Sequence, residues 1–112
     1  MAVTGVLQGQ VALVTGASRG VGAAVAVALA KAGVAVACAA RSTAATPQRT
    51  PGTLDDTVGR IREAGGEAIA VPTNLADPEQ IDAMVARTGD GLGRLDMLVN
   101  NAAITFVGDI DI

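Results

Sequence analysis

The apolar positions fall into short β-branched runs separated by longer stretches with a helical period. Val11-Ala-Leu-Val-Thr15 is apolar and uncharged, the pattern of a buried strand. A turn with glycines at 16, 20 and 22 follows. Val21–Ala32 then reads as a helix that is apolar nearly all round and stops at Gly33, a residue suited to the position just past a helix end. Such a helix has to be covered on most of its sides. Val34–Ala40 is an unbroken apolar run, as in a parallel strand buried on both faces. Residues 43–52 carry two prolines and form a loop longer than the roughly 2–6 residues usual between strand and helix.

Thr53 is placed to cap the next helix, with Asp56 three residues on as its capping-box partner. That helix runs to about Ala64, ends at Gly65-Gly66, and turns Leu54, Val58 and Ile61 inward. Glu67–Pro72 is a third strand. Asp77-Pro78-x-Gln80 opens a third helix with a cap residue, Pro at the first helical position and Gln at N3. Ile81, Met84, Val85 and Leu92 line its apolar stripe, and it frays between Gly89 and Gly93. Leu95–Asn100 is a fourth strand, and Ile104–Ile112 lead towards another helix.

Composition narrows what such a chain does. Its 112 residues make room for one small domain. With one Phe and no Tyr or Trp, the core has to come from Ala, Val, Leu and Ile. A net charge of −3 and scattered arginines argue against a nucleic-acid partner. There is no His, which excludes His-based triads and His-ligated metal sites. Cys38 stands alone inside an apolar run and reads as a small buried hydrophobe. Residues 21–40 are rich in Ala and Val, but Lys31 and Gly33 interrupt them, so no membrane span is expected. The N-terminus lacks the features of a signal peptide, and a cytoplasmic location is expected.

The candidate chemistry lies in the first turn. A strand, a glycine turn and a helix together aim free backbone N–H groups at a phosphate. One glycine permits the turn, one lets a pyrophosphate approach the backbone, and one lets helix and strand pack closely. The spacing, Gly16-x-x-x-Gly20-x-Gly22, differs from the common G-x-G-x-x-G. Thr15-Gly-Ala-Ser-Arg-Gly-Val-Gly22 resembles the cofactor turn of the short-chain dehydrogenase/reductase family. Leu95-Asp-Met-Leu-Val-Asn-Asn-Ala-Ala103 resembles that family's Asn-Asn-Ala-Gly segment, with Ala103 in place of its glycine. The long loop at 43–52 resembles that of members near the hydroxysteroid dehydrogenase-like proteins.

The resemblance runs from about residue 7 to the last residue and covers the first part of a family domain. It implies an α/β fold: a Rossmann-type doubly wound parallel sheet, incomplete, with about four strands in the order 3-2-1-4 and three helices. Residues 1–112 would then be the N-terminal portion of a single NAD(P)-binding domain. It implies cofactor contacts from Gly16, Ala17, Ser18, Arg19, Gly20, Val21 and Gly22 in the turn. Asn74, with Leu75 beside it, would meet the adenine edge. Asn101, Ala102 and Ala103 would run along the ribose and nicotinamide half, with Asn100 bracing the strand.

Ala40 stands where NAD-preferring members carry an acid, and Arg41 and Ser42 follow it. Arg41, with Arg19 opposite, suits a 2′-phosphate, so NADP is expected over NAD. The activity implied is hydride transfer between NADPH and a carbonyl or alcohol carbon, with a Tyr, a Lys four residues later, a Ser and an Asn as the catalytic set. None of these can be assigned here: the chain has no Tyr, and its one Lys is Lys31. The 112 residues are therefore expected to be inactive alone, with a small-molecule substrate and homo-oligomers belonging to full-length forms. An open apolar edge at the fourth strand is expected to favour aggregation. A non-catalytic nucleotide-binding module and a non-functional truncated remnant stand as the alternatives.

Overall fold

Each of the first three strands leads into a helix, and all three strand pairings are parallel. In the computed structural model the described residues are 7–41 and 53–101. They form β1 (Val11–Thr15), α1 (Gly20–Lys31), β2 (Ala35–Ala40), α2 (Leu54–Glu63), β3 (Ala68–Pro72), α3 (Pro78–Leu92) and β4 (Met97–Val99). The sheet order is β3-β2-β1-β4. In register, Val11 lies beside Ala35, Val36 beside Ala68, and Leu13 beside Leu98. This is the doubly wound, four-stranded arrangement expected from the sequence.

Side chains alternate between the two faces of the central strands, and each face builds its own core. Ala12, Val14, Val36 and Cys38 pack with Ala26 of α1 and with Leu54, Val58 and Ile61 of α2. Leu13, Ala37, Ala39 and Val71 pack with Met84 of α3. Small residues on β1 and β2 let helices sit close on both sides. Burial pushes the Cys38 thiol up to about 12, so it stays protonated and unreactive at neutral pH.

Local signals set the helix ends. The Thr53 hydroxyl accepts from Asp56 N–H and the Asp56 carboxylate accepts from Thr53 N–H, a complete capping box. Asp77 accepts from Glu79 N–H, with Pro78 behind it. Gly33, Gly65 and Gly93 take positive φ at the three C-terminal ends.

Four expectations are corrected. The helix α1 is not covered on most sides: Gly22, Ala23 and Ala26 are buried, while Val21 is 68% exposed. Only one face of α1 meets the sheet and α2. On α3 the contact line is Met84, Thr88 and Leu92, spaced four apart, which leaves Ile81 and Val85 exposed. Nor does α3 fray at Gly89; it continues to Leu92, and Gly91 lies so close to Ile69 of β3 that a methyl group there would crowd it. The fourth strand is shorter than expected, Met97–Val99, because Asp96 turns its carboxylate onto β1.

Candidate cofactor site

The carboxyl ends of β1, β2 and β4 converge on the glycine turn between β1 and α1. Gly16 (φ 66°) and Gly20 (φ 61°) take the left-handed conformations that open and close the turn. A Cβ on Gly22 would strike the carbonyl oxygen of Gly16 and the side-chain amide of Asn101. Glycine at 22 is thus what allows α1 to start against the ends of β1 and β4.

The N-terminus of α1 differs from those of α2 and α3. Its N-cap residue is Arg19, whose side chain accepts nothing, and its first turn holds no acid. Among the described residues no side chain accepts from the backbone N–H groups there, at the positive end of the helix dipole. Arg19, Gly20 and Val21 are exposed, while Ala17 and Ser18 are buried. Uncapped donors, an open approach and a nearby guanidinium together form a surface for an anion. The dinucleotide pyrophosphate fits this arrangement.

Ala17, at the start of the turn, is fixed at both ends of its backbone. Its N–H donates to Ala39 O (3.2 Å), and its carbonyl accepts from the buried Thr57 hydroxyl of α2 (2.7 Å). Thr15 braces the end of β4. Its Oγ1 lies 3.2 Å from Asn100 Oδ1 and 3.4 Å from Val99 O as donor, and it accepts from Asn101 N–H (3.0 Å). The start of the same strand pair is closed by Asp96. Its Oδ2 accepts from Val11 N–H (2.8 Å), its own N–H donates to Val11 O (2.9 Å), and its Oδ1 pairs with Arg94 (2.7 Å). The hydrogen bonds from Arg94 and from the Val11 backbone hold the Asp96 carboxyl below the usual carboxylate range.

Arg41 follows β2 directly and is exposed, next to the half-buried Ala40. Neither Arg19 nor Arg41 is engaged by a hydrogen bond or ion pair to another described residue. No acid stands at the end of β2 to repel a phosphate there.

Asn74 sits in a tight turn after β3. Its Oδ1 accepts from Ala76 N–H (3.0 Å), and its own N–H donates to Gln80 Oε1 (2.8 Å). The Asn74 Nδ2 group makes no hydrogen bond to another described residue. Leu75, partly buried, packs its side chain against the core on the α3 side. Ser42, Ala102 and Ala103 lie outside the described residues.

Two residues, Thr57 behind the turn and Asp96 at the opposite end of the β1–β4 pair, were not picked out from the sequence. Thr57 is the polar member of the stripe Leu54, Thr57, Val58, Ile61, and Asp96 is the one acid within the fourth apolar run. A polar residue on an apolar face was the available signal in both. Among the described residues there is no cluster of three or more His, Cys, Asp or Glu to hold a metal. None of their helices is long and apolar enough to cross a membrane.

Comparison with known proteins points the same way. The chain is 50% identical over 101 residues to a 3-oxoacyl-acyl-carrier-protein reductase of Synechocystis sp., covering 88% of this chain and 37% of that protein. It is 40% identical over 100 residues to hydroxysteroid dehydrogenase-like protein 2 of Xenopus laevis, covering 89% of this chain and 24% of that one. The chain thus spans about a third or less of the length of these relatives. A short chain dehydrogenase from Mycobacterium thermoresistibile superposes with a TM-score of 0.81 at 36% identity, over 94% of this chain and 37% of its own. A metagenomic short-chain oxidoreductase solved in complex with NADP superposes with a TM-score of 0.75 at 39% identity, over 87% and 40%. The family model for short chain dehydrogenases matches residues 10–111. With its glycine turn, its sheet order and its braced Asn-Asn segment, the chain belongs to the short-chain dehydrogenase family.

Proposed function

We propose that this chain is the cofactor-binding N-terminal part of an NADP-dependent oxidoreductase that exchanges a hydride between NADPH and a carbonyl or alcohol carbon. The observation that carries the cofactor choice is the end of β2, where Ala40 leaves no acid and Arg41 follows, exposed. A carboxylate at that position would accept from a ribose hydroxyl and repel a 2′-phosphate, whereas a guanidinium forks onto the phosphate. Arg19, exposed at the start of α1, supplies a second positive charge at the turn. The metagenomic relative in complex with NADP supports this reading.

In this reading the chain's own residues bind and orient. The first-turn N–H groups of α1 take the pyrophosphate, Arg41 and Arg19 the 2′-phosphate, and the Asn74 amide the adenine edge. Thr15 holds Asn100 and Asn101 in place along the ribose side. The nicotinamide, when bound, accepts or delivers the hydride. The 112 residues contain no tyrosine for the proton transfer that the family resemblance assigns to a Tyr–Lys pair, so they bind cofactor without turnover.

Titration of NADPH and NADH against the protein, followed by nicotinamide fluorescence, tests this. NADPH binds more tightly, and Arg41→Ala weakens NADPH binding about ten- to a hundredfold while leaving NADH binding unchanged. Equal affinity for the two cofactors overturns the NADP preference. Binding of neither, by a soluble sample, overturns the cofactor-site reading itself.

A further inference from the structure

We infer that Thr57 of α2 is a positioning residue for the glycine turn, aiming the Ser18 N–H at the cofactor by holding the Ala17 carbonyl. This rests on the reading of the turn as a cofactor site. Thr57 is 1% exposed, and its Oγ1 donates to Ala17 O over 2.7 Å, a link between residues 40 apart in sequence. The Ala17 carbonyl and the Ser18 N–H belong to one planar trans peptide, so they point in opposite directions. Fastening the oxygen towards α2 turns the N–H away from α2. The Ala17 N–H, bonded to Ala39 O, fixes the preceding peptide in the same way. Two successive peptide planes are therefore locked before the chain reaches Arg19 and Gly20.

Without this lock the turn would depend on Gly16 and Gly20 for its shape, and both occupy the backbone region where glycine is freest. A donor has to be held in place before the ligand arrives if it is to bind without an ordering cost. Thr57 supplies that hold from the buried face of α2, beside Leu54, Val58 and Ile61. Its contribution is thus through Ala17 and not by contact with cofactor.

The test compares Thr57→Ser and Thr57→Ala, which differ by a single oxygen atom, with Thr57→Val as the variant of matched shape. Val58→Ala, one residue on, perturbs the packing of the same helix without touching the hydroxyl. We expect Thr57→Ala and Thr57→Val to weaken NADPH binding about tenfold, Thr57→Ser to restore it, and Val58→Ala to leave it near wild type at a comparable loss of Tm. Amide hydrogen exchange in the protein without cofactor gives a second readout. The Ala17 N–H exchanges faster in Thr57→Ala than in Thr57→Ser.

Equal NADPH affinity in the Ser and Ala variants, or equal Ala17 exchange in the two, overturns the role of Thr57. Failure of the wild-type protein to bind either cofactor overturns the cofactor-site reading instead, and the exchange comparison then decides the Thr57 tether by itself. If Thr57→Val does not fold, the Ser and Ala pair carries the comparison.

Discussion

Asp96 joins the starts of β1 and β4 through two reciprocal hydrogen bonds, and its charge makes that joint sensitive to acid. Its carboxyl is held below the usual carboxylate range by Arg94 and by Val11 N–H. The folded chain therefore binds this proton less readily than the unfolded chain does. The stabilisation is fully present above the unfolded carboxylate pKa of about 3.9 and is lost as pH falls through the lower folded value. Thermal melts across the acid range measure it. Asp96→Asn, which keeps an acceptor for Val11 but cannot lose a charge, should melt lower at neutral pH and show a shallower acid limb than wild type. Raising salt narrows the difference at neutral pH, because the Arg94 pair is exposed to solvent. Parallel acid limbs for the two proteins would remove Asp96 from this role. At the same scale, Gly22 shows why one position in the turn tolerates nothing larger: the obstacle to a Cβ is the backbone of Gly16, which has no rotamer to move to.

The helices separate what was readable locally from what depended on distant partners. The capping box of α2 and the Asp77-Pro78 start of α3 were legible because each cap lies within a few residues of the groups it satisfies. Leu54, Val58 and Ile61 were legible from their spacing. Thr57 and Asp96 were not, because their partners lie 40 and 85 residues away, and only the folded sheet brings them together. The misjudged faces of α1 and α3 share one cause: an apolar pattern says which residues can be buried, and the neighbours present decide which are. Ile61 and Ile81 turn this into a measurement. Ile61 is 1% exposed between the sheet and α1, while Ile81 is 36% exposed on the outer side of α3. Ile61→Ala should cost about 2–5 kcal/mol in urea unfolding, and Ile81→Ala about 0.5 kcal/mol or less. Similar costs at the two positions would mean that the outer side of α3 is covered in solution.

The whole sheet is asymmetric at its two ends. At one end, β3 is flanked by α2 below and α3 above, and Arg62 reaches back to bond the Ala68 carbonyl at its start. At the other, β4 pairs with β1 alone among the described strands. Its Leu98 lies beside Leu13, on the side of the sheet that carries α3, yet it is 62% exposed. Ile81 and Val85 are exposed on that helix. A strand paired on one side only among the described residues, with an outward Leu and no charge within Met97–Val99, is a template for pairing with another strand. These 112 residues should therefore self-associate as their concentration rises, through the β4 edge. Leu98→Lys sets a charge on that edge at little cost to the fold, because Leu98 contributes little buried surface. Static light scattering over a concentration series should show mass growing for the wild type and staying flat for Leu98→Lys. Growth of the same magnitude in the variant would place the association elsewhere, with the exposed side of α1 around Val21 the next surface to charge.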